Sequence, residues 1–109
     1  MANIHKVLGQ INPTANTITN VYVTSTSASA IVGTITIRNL TGSNASYSLI
    51  VRPNNETLNN KHFIVRGGIL PGNELISITG AVTMNAGMIL AANTNSNNVT
   101  FNAYGVEIV

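Results

Sequence analysis

The sequence predicts an all-β fold: a single antiparallel β-sandwich domain, of jelly-roll or immunoglobulin-like type, with about eight strands over residues 1–109. Three observations carry that expectation. Ile, Val and Thr recur in period-two patterns, turn-forming Asn, Gly and Pro interrupt them at fairly even intervals, and no stretch repeats apolar residues three and four apart among good helix formers. Two packed sheets are favoured over one open sheet, which would leave an apolar face in water. A chain of 109 residues can bury a core without metals or disulfides.

The first strand is expected from His5 to Ile11, stopped by Asn12-Pro13, and the second from Thr17 to Thr24, with Ile18, Val21 and Val23 among polar residues. Ser29 to Leu40 alternates most cleanly, Ile31, Gly33, Ile35 and Ile37 sharing one face and Val32, Thr34, Thr36 and Arg38 the other. Thr41-Gly42-Ser43-Asn44 has turn composition and leads into a strand carrying Tyr47, Leu49 and Val51, so these two strands are expected to form a hairpin. A polar loop from Pro53 to Asn60, anchored by Leu58, precedes a fifth strand from Lys61 to Arg66, which Gly67-Gly68 should end. Leu70-Pro71-Gly72-Asn73 is a turn before Leu75 to Thr79, and Asn85-Ala86-Gly87 a turn before Met88 to Ala92. Asn93 to Asn98 then turns the chain into Val99 to Val109.

Charge is scarce. Only 7% of residues are charged against 44% hydrophobic, and Asn, Thr, Ser and Gly make up most of the rest. Solitary globular domains carry about a quarter charged residues, so this neutral, hydrogen-bonding surface suits a protein packed against copies of itself or against partners. The net charge is +2, but Lys6, Arg38, Arg52, Lys61 and Arg66 form no cluster, which argues against nucleic acid as a partner. No apolar run approaches the roughly 20 residues of a membrane span, and the opening Met1-Ala2-Asn3-Ile4-His5-Lys6 lacks the apolar core of a signal peptide, so a chain soluble at synthesis is expected.

Reactive groups are equally few: no cysteine, no aspartate, three glutamates and two histidines. A hydrolase would need two carboxyls with their pKa values pushed apart, drawn from Glu56, Glu74 and Glu107. A Ser-His-acid triad would have to recruit His5 or His62 with no Gly-x-Ser-x-Gly elbow, and neither histidine has a second ligand at metal spacing. No catalytic residue, metal or cofactor is therefore expected. Aromatic platforms for sugars are limited to Tyr22, Tyr47, Tyr104, Phe63 and Phe101, and both phenylalanines alternate with apolar residues as core should. Asn-x-Ser/Thr triplets at Asn39, Asn44, Asn55 and Asn98 are close to the roughly three that random order gives a chain so rich in these residues.

One arrangement stands out. If Ile35, Ile37, Tyr47, Leu49, Val51, Phe63 and Val65 face the core, then Arg38, Arg52, His62 and Arg66 point away from it. Neighbouring strands would then display a cationic stripe able to meet an acidic partner or a glutamate of another copy.

The segments Lys6-Val7-Leu8-Gly9-Gln10, Ala30 to Leu40, Val51-Arg52-Pro53, Asn60-Lys61-His62-Phe63 and Val99-Thr100-Phe101-Asn102-Ala103-Tyr104-Gly105-Val106-Glu107 together resemble small virion structural proteins of tailed bacteriophages. The resemblance spans nearly the whole chain but rests on spacing and short words. It implies a compact, non-enzymatic β-sandwich that decorates the capsid or forms part of the neck, tail or baseplate. Its partners would be other virion structural proteins and copies of itself, with a symmetric homo-oligomer, trimer before dimer, and its location the virion, after the host cytoplasm during assembly. Met84-Asn85-Ala86-Gly87-Met88 lacks the acidic turn expected of such relatives, so no ion-related role is carried over. The alternative is a host-receptor or glycan-binding sandwich at a tail tip. A third possibility, a small hydrolase, would need Glu74 or Glu107 paired with another acid.

Overall fold

The computed structural model describes residues 3–109, with only the backbone described at Ala81. Met1 and Ala2, the first residues of the opening segment expected to lack a signal peptide, lie outside the described residues. Eight strands follow in order: β1 (Asn3–Ile11), β2 (Thr19–Val23), β3 (Ser29–Asn39), β4 (Ala45–Pro53), β5 (Phe63–Leu70), β6 (Leu75–Met84), β7 (Met88–Thr94) and β8 (Val99–Ile108). The one helical turn among the described residues is a 3-10 turn at Asn60–His62.

The pairing has a simple rule. β1 pairs with β8, β2 with β7, β3 with β6 and β4 with β5, all antiparallel, as if a long hairpin with its tip between β4 and β5 had been rolled up. β8 then joins β3, and β7 joins β4, giving sheet A in the order β1-β8-β3-β6 and sheet B in the order β2-β7-β4-β5. The protein is thus an all-β sandwich of two antiparallel four-stranded sheets, and its strand order is that of a jelly roll.

Between the sheets lie Val32, Ile35, Ile37, Leu49, Leu70, Met84, Leu90, Val99 and Phe101, all buried completely or nearly so. Full burial of side chains of this size stabilises by about 1.5–3 kcal/mol each, which makes this layer the main favourable contribution. Along the β1/β2 side the sheets close by direct backbone approach. A Cβ placed on Gly9 would stand 2.0 Å from the Val21 carbonyl oxygen, so no larger residue fits there.

Where the chain leaves sheet A for sheet B it is fastened by a buried amide. Asn39 is fully buried, and its Nδ2 donates to the carbonyls of Ser43 (2.7 Å), Leu70 (3.1 Å) and Pro71 (3.3 Å). Its Oδ1 accepts from the Thr41 amide (2.9 Å) and the Thr41 hydroxyl (2.7 Å). One side chain thereby ties the end of β3, the β3–β4 loop and the end of β5.

Several expectations are corrected. β3 and β4 are not a hairpin: both edges of β3 are occupied, by β6 and β8, so β4 has no edge to pair with and the chain crosses to the other sheet. Within β3 the alternation does not hold throughout, because a register shift at Gly33 switches the buried face from Val32 to Ile35 and leaves Ile31 on the outside. β5 does not stop at Gly67-Gly68. Gly67 takes a positive φ of 68° and donates its N–H to the Ser48 hydroxyl (3.0 Å), forming a bulge through which the strand continues to Leu70. β6 likewise runs five residues past Thr79, to Met84.

Replacing Asn39 by Ala takes a donor from three carbonyls and the acceptor from the Thr41 amide at a buried corner, with only the Thr41 hydroxyl and the Ser43 carbonyl left to pair with each other. The expected loss is about 2–4 kcal/mol of unfolding free energy, measured by urea titration, whereas Asn44→Ala on the exposed turn stays within about 0.5 kcal/mol.

Candidate interaction surfaces

Four side chains were expected on one cationic stripe, and the structure divides them. Arg38 lies exposed on β3 in sheet A, opposite Thr100 and Leu75. Arg52 and Arg66 belong to β4 and β5 of sheet B, and His62 to the turn before β5, so no row of neighbouring strands carries all four. His62 is also buried rather than solvent-facing.

Arg52, His62 and Arg66 meet for another purpose. Ile50, Ile89 and Ala91 form a small buried cluster on the outer face of sheet B, with Leu58 and Phe63 packed against it. Phe63 therefore serves this outer cluster and not the layer between the sheets, because register shifts after Tyr47 and Leu49 turn it outward, opposite Ile50. The segment 54–62 covers the cluster as a strap, and the cations are its clips. Arg52 Nη1 donates to the Glu56 carbonyl (2.9 Å), Arg66 Nη1 donates to Asn60 Oδ1 (2.7 Å), and the Arg66 guanidinium sits 5.0 Å from the Phe63 ring centre. Glu56 Oε1 lies 3.4 Å from Lys61 Nζ and 3.5 Å from His62 Nε2. His62 Nδ1 accepts the Asn59 amide (2.9 Å), and the His62 amide returns a bond to the Asn59 carbonyl (3.0 Å).

The third glutamate works inside. Tyr22 on β2 donates its hydroxyl to Glu107 Oε2 on β8 (2.5 Å), and Lys6 on β1 places Nζ 3.5 Å from Oε1 of the same carboxylate. The Tyr22 bond holds the Glu107 carboxyl below its ordinary range against an opposing push from burial, and Lys6 helps. Burial, with the Glu107 carboxylate second, drives the Tyr22 hydroxyl well above the usual phenol range. This contact links sheet B to sheet A where β1 and β2 run side by side. Glu74 belongs to the far end, where its carbonyl accepts the Asn39 amide (3.0 Å), and Glu56 belongs to the strap. The three glutamates are placed apart, and among the described residues no three His, Asp or Glu side chains gather as a metal site would need.

The outer face of sheet A differs from that of sheet B. Register and burial put Val7, Ile31, Tyr104, Val106 and Ile108 on it, Val7 exposed and the others half-buried, with His5, Asn102, Thr34, Thr36, Ser77 and Thr79 around them. Among the described residues its only charged side chain is Arg38 at one end. No segment among the described residues lies across it as 54–62 lies across sheet B. A shallow hollow at the end of the sandwich, lined by Thr26, Ser27, Asn85 and Ile108 among others, has no ionisable side chain.

No family model matches the chain, and no curated protein matches it.

The strap and the Tyr22-Glu107 bond were invisible to strand-by-strand reading, since each joins residues whose proximity depends on the roll-up. A partial signal existed for the strap: Leu58 was an apolar residue alone in a polar loop.

Acid should weaken the Tyr22-Glu107-Lys6 link. Because the folded carboxyl titrates below its unfolded value of about 4.5, the stabilisation is complete above that value and disappears as pH falls through the folded one. Thermal unfolding followed from pH 7 to pH 3 should show a steeper decline in wild type than in Glu107→Gln, which keeps an acceptor for Tyr22 but cannot titrate.

Proposed function

We propose that this chain is a non-enzymatic structural subunit of a virion, of the kind tailed bacteriophages carry on capsid, neck, tail or baseplate, and that it works by contact with copies of itself and with other virion proteins. The observation that carries this reading is the outer face of sheet A. An apolar strip there is left open, while the matching strip on sheet B is covered by the chain's own strap.

The scarcity of charge on that face supports a second copy as its occupant. Two chains of net charge +2 repel one another, and sheet B's outer side adds Arg52, Lys61 and Arg66, so the face with fewest charges is where copies approach at least electrostatic cost. Four strands at about 4.8 Å spacing and about ten residues of 3.3 Å give a footprint of about 600 Å² per partner, at the low end for a specific interface. Such a contact is modest alone and gains from repetition in a particle of many copies. The jelly-roll frame is compatible, being common among viral capsid proteins, although lectins use it too.

Sedimentation of purified protein separates the readings. Wild type should form a discrete homo-oligomer, and Val106→Glu should return it to monomer with its thermal midpoint little changed, because that side chain faces outward. Asn55→Glu should leave association intact, since Asn55 is exposed on the strap over the other sheet and makes none of the strap's bonds. A wild type monomeric at every attainable concentration, together with saturable binding on a glycan array, would overturn this proposal in favour of a tail-tip recognition module.

A further inference from the structure

The strap over sheet B is held in part by a ring nitrogen that can serve only while it lacks a proton. His62 Nδ1 accepts the Asn59 N–H at 2.9 Å, so the imidazole proton resides on Nε2, facing Glu56 Oε1 at 3.5 Å. A second proton has one place to go, Nδ1, where the Asn59 N–H already points. Two N–H groups would then face each other and the bond would be lost.

We propose that segment 54–62 is a pH-sensitive latch with His62 as its sensor, opening on acidification to uncover the apolar strip of Ile50, Ile89, Ala91 and Phe63. The surroundings make the charged ring a poor tenant. His62 is only 6% exposed, and its Nε2 is buried without a hydrogen-bond partner. Among the described residues the anion facing it is Glu56, shared with Lys61 of the strap, while Arg52 on β4 and Arg66 on β5 add positive charge from the sheet beneath. A buried imidazolium with a shared counter-ion and a lost acceptor is relieved by moving into water. That movement undoes the turn at Asn59–His62, whose other bond runs from the His62 amide to the Asn59 carbonyl, and with it the seat of Leu58. The inference stands independently of the assembly reading, since it concerns the opposite face.

Amide hydrogen exchange, corrected for the intrinsic dependence of exchange on pH, tests it on the full chain between about pH 8 and pH 5. Protection at Asn59 and His62 should fall by up to about tenfold per pH unit once the ring charges, while Ile35 and Ile37 in β3 hold theirs. In His62→Asn the side-chain oxygen can take the place of Nδ1 and cannot titrate, so protection should be retained and flat with pH. In His62→Phe, which offers no acceptor, the strap amides should exchange freely at every pH. Flat protection in wild type, or a response in His62→Asn equal to that of wild type, overturns the latch. The first two proteins decide the matter even if His62→Phe does not fold.

Discussion

The roll-up depends on a corner that must be satisfied without water. At the crossover from β3 to β4 the chain exchanges one sheet for the other, and the carbonyls of Ser43, Leu70 and Pro71 converge beside it. Asn39 answers with both ends of its amide while its own backbone N–H goes to the Glu74 carbonyl. Only a side chain that donates and accepts within one short planar group can do this, which excludes Asp and every apolar residue of similar size. The opposite end uses the same device with a hydroxyl. Buried Thr24 donates Oγ1–H to the Asn85 carbonyl (2.6 Å) and accepts the Met88 amide (2.7 Å), tying the exit of β2 to the β6–β7 turn. With both ends pinned by neutral groups, the sandwich needs neither disulfide nor dense surface charge, and a chain with 7% charged residues can still hold one arrangement.

Strand existence was legible in the residues because period-two alternation is a local property, and each of the eight segments expected to be extended overlaps a strand, although Lys61 and His62 are taken by the 3-10 turn before β5. Partner choice was not legible. Turn composition at Thr41-Gly42-Ser43-Asn44 is the same whether the chain doubles back or crosses over, and the deciding fact is that β6 and β8, distant in sequence, occupy both edges of β3. Bulges defeated the face assignments in a similar way. Gly33 and Gly67 each shift the register by a residue, and one residue is enough to exchange inside for outside. Phe63 was misplaced for that reason, lying beyond the shift opposite Leu49 and Ile50, and His62 because it belongs to the 3-10 turn before β5, where period-two alternation does not apply. Asn39 appeared only as one of four glycosylation triplets, and burial explains why that triplet could not be used in the folded chain.

The division of the expected cationic stripe shows how a chain poor in charge spends it. Three of the four residues in that set fasten a loop over sheet B, and Lys6 serves the carboxylate that joins the sheets, which leaves Arg38 as the cation with neither a side-chain hydrogen bond nor an ion pair among the described residues. Charge is consequently concentrated on one outer face and nearly absent from the other. A subunit with such unlike faces has a built-in orientation: the neutral face tolerates close apposition of a like surface, while the strapped face keeps a hydrated, positively charged exterior that resists it. A contact of like on like closes as a two-fold pair, and growth beyond that pair would need contacts other than these two faces, because the second face offers no equivalent apolar surface as long as the strap stays closed. The two faces are in this sense one design, and the loop that hides Ile50, Ile89 and Phe63 matters as much to the uniqueness of any assembly as the strip around Tyr104 that stays open.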